Sequence, residues 1–251
     1  MADVLRDYRF EELKSDFKGL GQNKYYIISN PSLKTLEPTL REARLSFYFS
    51  TIDALREVEN WEAVRDTCEQ ALVDFHSHPE FTSQLAYALL ILGDKLGAIR
   101  TYEQCIQMGY DVPDSLYFIG VAQREIGNEP RSVEIFEEAI KKEPKLFHAM
   151  VELGEIYLNR RNYVEANHWA KKATKLAPRF YIPHAIQVVI ALGLKKDKSL
   201  NTLIKKIPHE VRMRGDFRLQ IQDYLKSLGE TDYNKKLSRA FKAADKYVAS
   251  K

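Results

Sequence analysis

One spacing limits what this chain can fold into: between Leu116 and Pro178 a single pattern is written twice, 34 residues apart. Gly120 returns as Gly154, Ala139 as Ala173 and Pro144 as Pro178, while Ser132 returns as Ala166, and Leu116 and Ile119 as Met150 and Leu153. A period of this length means that each copy is one supersecondary piece, unable to bury its apolar face alone and obliged to stack on a neighbour. The spacing therefore predicts a solenoid, which grows in one dimension, so that chain length sets no domain number. Folds of this kind work by holding something.

Composition enters as an exclusion. Apolar residues make up 45% and charged residues 29% of the 251, the balance of a soluble globular protein, and no apolar run approaches the roughly 18 residues that span a bilayer. Met1 to Phe10 alternates charged and apolar residues without an apolar signal core, so a cytoplasmic location is the expectation. Cys68 and Cys105 lack the paired spacing of a zinc site or disulfide framework and are expected to be small core residues. The net charge of +3 is unevenly spread: from Lys195 onward 15 Lys and Arg face 7 Asp and Glu, leaving 23 against 28 before it.

In chain order, Phe10, Leu13 and Phe17 lie at helical spacing and Gly19, Gly21 and Asn23 end that pattern. The short apolar run from Tyr25 to Ile28 stays unassigned. A long helix is expected from Pro38 to about Val58 and another over Trp61–Phe75, closed by His76-Ser77-His78-Pro79. Paired helices follow over Phe81–Leu92 and Leu96–Met108, Ser115–Ile126 and Pro130–Lys142, and Phe147–Asn159 and Tyr163–Leu176. Asp111-Val112-Pro113-Asp114 is taken as a break between the first two pairs. A weaker pair, Ile182–Leu194 and Lys198–Ile207, ends at Pro208, and two further helices are expected over Asp216–Leu228 and Asp232–Ser250. Connections this short force consecutive helices to lie antiparallel. The expected organisation is a flanking segment over 1–36, a helical array over 37–207 and capping helices over 208–251.

The spaced residues resemble the tetratricopeptide (TPR) repeat, a 34-residue helix-turn-helix unit. The copy with Met150, Leu153-Gly154, Tyr157, Ala166, Ala170, Ala173 and Pro178 fits throughout, and the one before it departs in having Gln123 where an aromatic residue is usual. The copy carrying Leu85-Ala86, Leu89, Gly93, Ala98, Tyr102 and Cys105 has Tyr110 where proline is expected. In the first, Val64, Cys68 and Ala71 align, but Pro79 falls about three residues late. The resemblance covers about residues 45–207 and implies an all-α, right-handed solenoid of about four to five antiparallel helix pairs. Independently of the family, glycine inside a helix costs about 1 kcal/mol against alanine. Gly120 and Gly154 therefore need an offsetting close approach, with Ala139 and Ala173 on the second helix as its expected partners.

TPR arrays line an inner groove with the first helix of each unit. That resemblance implies a partner-binding set of Ser83, Tyr87, Leu90 and Ile91, then Tyr117, Val121, Arg124 and Glu125, then Val151, Glu155, Leu158 and Asn159, continued by Ala185 and Val189. Family members that grip a C-terminal carboxylate place lysine, asparagine and arginine at positions that here hold Ser83, Tyr87, Tyr117, Val121, Val151 and Glu155, so no carboxylate clamp is expected. The expected ligand is a protein or peptide with apolar anchors, held chiefly by Tyr87 and Tyr117. Residues 1–36, or a second copy in a homodimer, are alternative occupants.

The basic end, with Lys195, Lys196, Lys198, Lys205, Lys206, Arg212, Arg214 and Arg218, and then Lys235, Lys236, Arg239, Lys242 and Lys246, raises nucleic acid or an anionic membrane surface as a partner. Without interleaved aromatic residues, and with Asp216, Asp223, Asp232 and Asp245 diluting it, a solvated cap is the favoured reading. No P-loop, nucleophile elbow or zinc-protease signature occurs, and His76 and His78 lack further ligands, so neither enzyme, metal nor cofactor is expected. The function expected is an interaction scaffold or adaptor. The alternatives are a chaperone that shields apolar client segments, as TPR arrays do in bacterial secretion systems, or an accessory part of a larger enzyme or complex.

Overall fold

A computed structural model describes residues 36–194, 197–229 and 233–249. The expected helix around Phe10–Phe17 and the lysines at 195 and 196 lie outside them, as do the side chains of Lys198, Lys235 and Lys246. Among the described residues every regular element is a helix. They are α1 (Leu36–Glu57), α2 (Trp61–Asp74), α3 (Pro79–Leu92), α4 (Lys95–Gln107), α5 (Val112–Glu125), α6 (Glu129–Lys142), α7 (Phe147–Asn159), α8 (Tyr163–Leu176), α9 (Tyr181–Gly193), α10 (Asp197–Lys206), α11 (His209–Arg212), α12 (Gly215–Ser227) and α13 (Asn234–Ala249).

The chain divides into two compact units between His76 and Ser77. The first holds the pair α1 and α2, tied by Arg44 and Tyr48, which both donate to the Asp74 carboxylate, Tyr48 at 2.6 Å. Burial, then the hydrogen bond to Asp74, pushes the Tyr48 hydroxyl up to about 12. In the second unit α3/α4, α5/α6, α7/α8 and α9/α10 are successive pairs, each packed on the next, an all-α solenoid. Beyond them α12 lies against α9, and α13 against α10.

The turn inside each pair repeats as strictly as the core. Glu59, Gly93, Gly127 and Arg161 all take positive φ, at 54°, 93°, 84° and 55°, and stand 34 residues apart. The residue after each, Asn60, Asp94, Asn128 or Asn162, is the N-cap of the second helix. Asn60 accepts from the Ala63 N–H at 3.2 Å, Asp94 from Gly97 at 2.8 Å and Asn162 from Glu165 at 3.3 Å. Each such cap contributes about 1 kcal/mol. Glycine takes the left-handed turn freely at 93 and 127, whereas Glu59 and Arg161 adopt it at a cost of about 1 kcal/mol.

The junctions between pairs come in two forms, which explains the late Pro79. Pro144 and Pro178 follow the C-caps of α6 and α8 and stop those helices. At the two earlier junctions Ser77 and Asp111 turn the chain with φ of 56° and 44°. Pro79 and Pro113 then sit in the first turn of α3 and α5, where proline has no helical hydrogen bond to lose. The segment expected to be a break is thus largely the start of α5, with Asp111 as its N-cap.

Gly120 is forced by packing: a Cβ there would lie 2.6 Å from Cε1 of Phe136, whose ring fills the layer behind α5. At Gly154 the nearest atom is the flexible Cδ1 of Ile186, at 3.1 Å. The expected partners differ accordingly: Ala139 and Ala173 are fully buried, but the atoms closest to the glycines belong to Phe136 and Ile186. Cys68 and Cys105 are fully buried free thiols, pushed up to about 12 and about 11, chiefly by burial.

Candidate functional site

The expected groove positions separate into three environments. On α3 and α5, Ser83, Tyr87, Tyr117 and Val121 are half-buried and Ile91 is exposed. Arg124, also half-buried, is not a free contact, because it pairs with Glu152 and with Glu155, the latter at 3.0 Å. Leu90, Val151 and Leu158 are buried in the core and are corrected from contacts to packing residues. Leu90 joins Tyr102, Leu116 and Ile119, Val151 joins Met150 and Ala173, and Leu158 joins the side chains of α9 and α12. Asn159 is exposed at the end of α7.

Ala185 and Val189, which continue the line on α9, are buried as well, since Phe217, Ile221, Tyr224, Leu225 and Leu228 pack in the same cluster. The helix α12 covers this end of the row. Two polar contacts hold it there: the Tyr224 hydroxyl donates to Glu155, and Arg161 donates to the Leu228 carbonyl at 2.5 Å. Part of the expected groove is therefore closed by the chain itself, and the described segment that closes it is C-terminal. Residues 1–35, the N-terminal candidate for that role, lie outside the described residues.

Away from α12 the row brings half-buried rings into contact from pair to pair. Tyr87 on α3 meets Phe118 at 5.3 Å between centroids, Phe118 meets Tyr117 at 5.1 Å, and Tyr117 meets His148 on α7 at 6.1 Å. The chain of rings continues from His148 to Phe180 at 5.8 Å and from Phe180 to Tyr181, over which Arg214 stacks at 5.2 Å. Phe118 and Phe180 were not among the expected contacts. Phe118 had a usable signal, standing next to Tyr117 on the same turn, whereas Phe180 precedes its helix and its place depends on how α9 meets α7.

Burial raises Tyr117, with Glu152 and Glu155 adding to it, and lowers His148 against the pull of Asp114. Glu152 is raised, first by burial and against the pull of Arg124. Burial opposes the charge on Arg124, but its two carboxylate partners outweigh it and raise the group. The arrangement places contacting rings beside an ion cluster of one arginine and two glutamates.

The basic end is less uniform than its sequence. Arg212 is only 1% exposed and leaves the solvent-facing set, and Arg218 stacks over Phe241 at 4.8 Å. A separate cleft of about 550 Å³ between α8, α9 and α10, lined by Asn167, Lys171, Gln187, Leu203 and Lys206 among others, contains none of the groove positions. Among the described residues no group of three His, Cys, Asp or Glu side chains is placed to hold a metal, and no helix is long and apolar enough to cross a membrane.

No protein-family model matches the sequence, and no curated protein matches it. Solved structures do. A MamA structure from Desulfovibrio magneticus RS-1 is similar at 16% identity over 68% of this chain and 96% of its own, with a TM-score of 0.57. A tetratricopeptide repeat protein from Parabacteroides merdae ATCC 43184 is similar at 11% identity over 81% of this chain and 78% of its own, with a TM-score of 0.58. YrrB, described as a TPR protein with an unusual peptide-binding site, is similar at 14% identity over 77% of this chain and 98% of its own, with a TM-score of 0.52. At such identities the likeness is one of fold. Together with the helix pairs and the 34-residue period of turns and caps, it makes this chain a TPR-like helical-repeat protein.

Proposed function

We propose that this chain is a non-catalytic interaction scaffold that captures a peptide, or an exposed segment of a partner protein, on the face formed by α3, α5 and the start of α7. The observation that carries this reading is the continuous set of rings Tyr87, Phe118, Tyr117 and His148, which crosses three helix pairs without cover from α12. Rigid rings in a preformed surface supply contact area at small entropic cost, which is why they dominate recognition sites. YrrB, of the same fold, is described by its peptide-binding site, which supports the same kind of role here.

Selection of binders from a random peptide library on the purified full chain tests the proposal. Enriched sequences are expected to carry at least two large apolar residues. Their affinity should fall tenfold or more in a Tyr87→Ala, Tyr117→Ala double variant, on the scale of two lost aromatic anchors. Because Tyr117 also packs on Phe136, a Ser83→Arg variant that obstructs the face without removing a ring provides the second arm. Peptides that bind both variants as they bind the parent would overturn the proposal. The same face would serve a chaperone, which differs in suppressing the aggregation of an unfolded client. A homodimer that fills the face with a second copy would show itself in the protein's size at rising concentration.

A further inference from the structure

We propose that the cleft between α8, α9 and α10 binds a small aliphatic anion, a carboxylate or phosphate monoester on a short hydrocarbon chain, with its head at Lys171 and Lys206 and its chain along Ile190, Leu194 and Leu203. The cleft contains none of the ring-bearing positions, and the site stands independently of the peptide-capture reading.

The space is set by packed helices. α8 packs on α9 and α9 on α10, and the cleft left between them has a volume of about 550 Å³, within the range of small-molecule sites, about 300–1,000 Å³. The α9 wall is Gln187, Ile190, Ala191 and Leu194, which recur at the spacing of one helical face. The first three are buried, so this wall is closed, and Leu194 at the C-cap is exposed. A polar tie holds the wall in place: Gln187 Nε2 donates to the Thr174 hydroxyl at 2.8 Å, and that hydroxyl donates in turn to the Ala170 carbonyl at 2.8 Å. The single proton of Thr174 is thereby committed, which fixes the Gln187 amide with its nitrogen toward α8. The site is built before any ligand arrives, which keeps the cost of binding small.

The charge comes from the two facing walls. Lys171 stands on α8 and Lys206 in the last turn of α10, and both line the cleft. Among the described residues neither lysine has an ion pair. α9 has no acidic residue. The one acidic residue of α8, Glu165, stands in its first turn and lines no part of the cleft, and Glu210, just beyond α10, pairs with Arg179. Two like charges brought to one cleft without a counter-charge attract an anion, and an ammonium on a flexible stem accepts carboxylate or phosphate oxygens alike. The apolar part of the lining fixes the rest of the ligand. Leu194 is 43% exposed and Leu203 half-buried beside it in the cleft, so a hydrocarbon chain laid there removes apolar surface from water that an inorganic anion would leave exposed.

The test titrates the full chain with octanoate and octyl phosphate, one for each head group, and with acetate and octyltrimethylammonium, following backbone amide chemical shifts by NMR. At least one of the octyl anions should saturate, move the amides of Lys171, Gln187 and Leu203, and bind about tenfold or more tighter than acetate, on the scale of a few buried methylenes. The octyl cation should leave those amides unmoved. A Lys171→Gln, Lys206→Gln variant should bind the octyl anion about tenfold more weakly, on the scale of its lost charged contacts. Lys172→Gln removes the same charge from the next position, where the ammonium stacks over Trp169, and should bind as the parent does. Ser199→Trp, at an exposed position lining the cleft, should block binding by obstruction while both lysines remain. Failure of both octyl anions to saturate, equal binding of the octyl cation, shifts centred outside the cleft, or indifference to the double lysine variant overturns the site. Acetate binding as tightly as the octyl anions overturns the aliphatic part of the assignment.

Discussion

The pairs α5/α6 and α7/α8 share a 34-residue register, yet the same positions meet different fates in them. Tyr117 on α5 stays half-buried, while its counterpart Val151 on α7 is buried. Arg124 holds two carboxylates, while its counterpart Leu158 is fully enclosed among the side chains of α9 and α12. Gly120 makes room for a rigid ring and Gly154 for the end of an isoleucine. A repeat thus assigns a position to a face, and whatever packs next decides whether that face is a site or a core.

The widest test of this contrast is Phe217→Ala. Phe217 is fully buried in the cluster that closes the row at α9, so denaturant unfolding should show a loss of about 3–5 kcal/mol. A loss below about 1 kcal/mol would mean that α12 is a surface helix and that the two pairs are equally open.

Next in size is the glycine pair. Gly120→Ala drives a Cβ into the Phe136 ring, and the cost of overpacking less the gain in helix propensity leaves it destabilising by about 1–2 kcal/mol. Gly154→Ala meets only the Ile186 methyl and should stay within about 1 kcal/mol of the parent. Urea unfolding of both variants side by side checks the order, and the reverse order would show that the two layers are packed alike.

Smaller again is Tyr224→Phe, which removes the hydroxyl bound to Glu155 and leaves that carboxylate with Arg124. It should cost about 1 kcal/mol and raise hydrogen exchange in α12 without changing that of α5. The smallest effect is expected of Arg161→Gly. Release from the left-handed turn returns about 1 kcal/mol, and the lost hydrogen bond to Leu228 removes about as much. Thermal unfolding should be nearly unmoved, whereas a clear stabilisation would mean that the Arg161 contact adds nothing to the closed end.

Much of the fold was legible because it is written locally. Helix bounds at α7 and α8 match the spacing of the apolar residues to the residue, and elsewhere they shift mostly by one to three. The exceptions are instructive. The four-residue α11 is too short to carry a period. The proline at 113 carries two opposite meanings, stopping a helix or opening one, and the preceding left-handed Asp111 selects the second. The Asn or Asp at 60, 94, 128 and 162 repeats with the same period, but as a turn residue it lies outside the apolar pattern that marks the helices.

The sequence by itself determined the repeat, its pairing of antiparallel helices and the stops and starts of those helices. These are set within one unit by backbone geometry and by contacts between near neighbours. Only the tertiary structure decided that Leu158, Ala185 and Val189 are core while Tyr117 is surface, because the covering residues lie far along the chain: Tyr224 reaches Glu155 across 69 residues. No local periodicity encodes such a contact, since it depends on where a helix outside the repeat finds enough apolar area to bury.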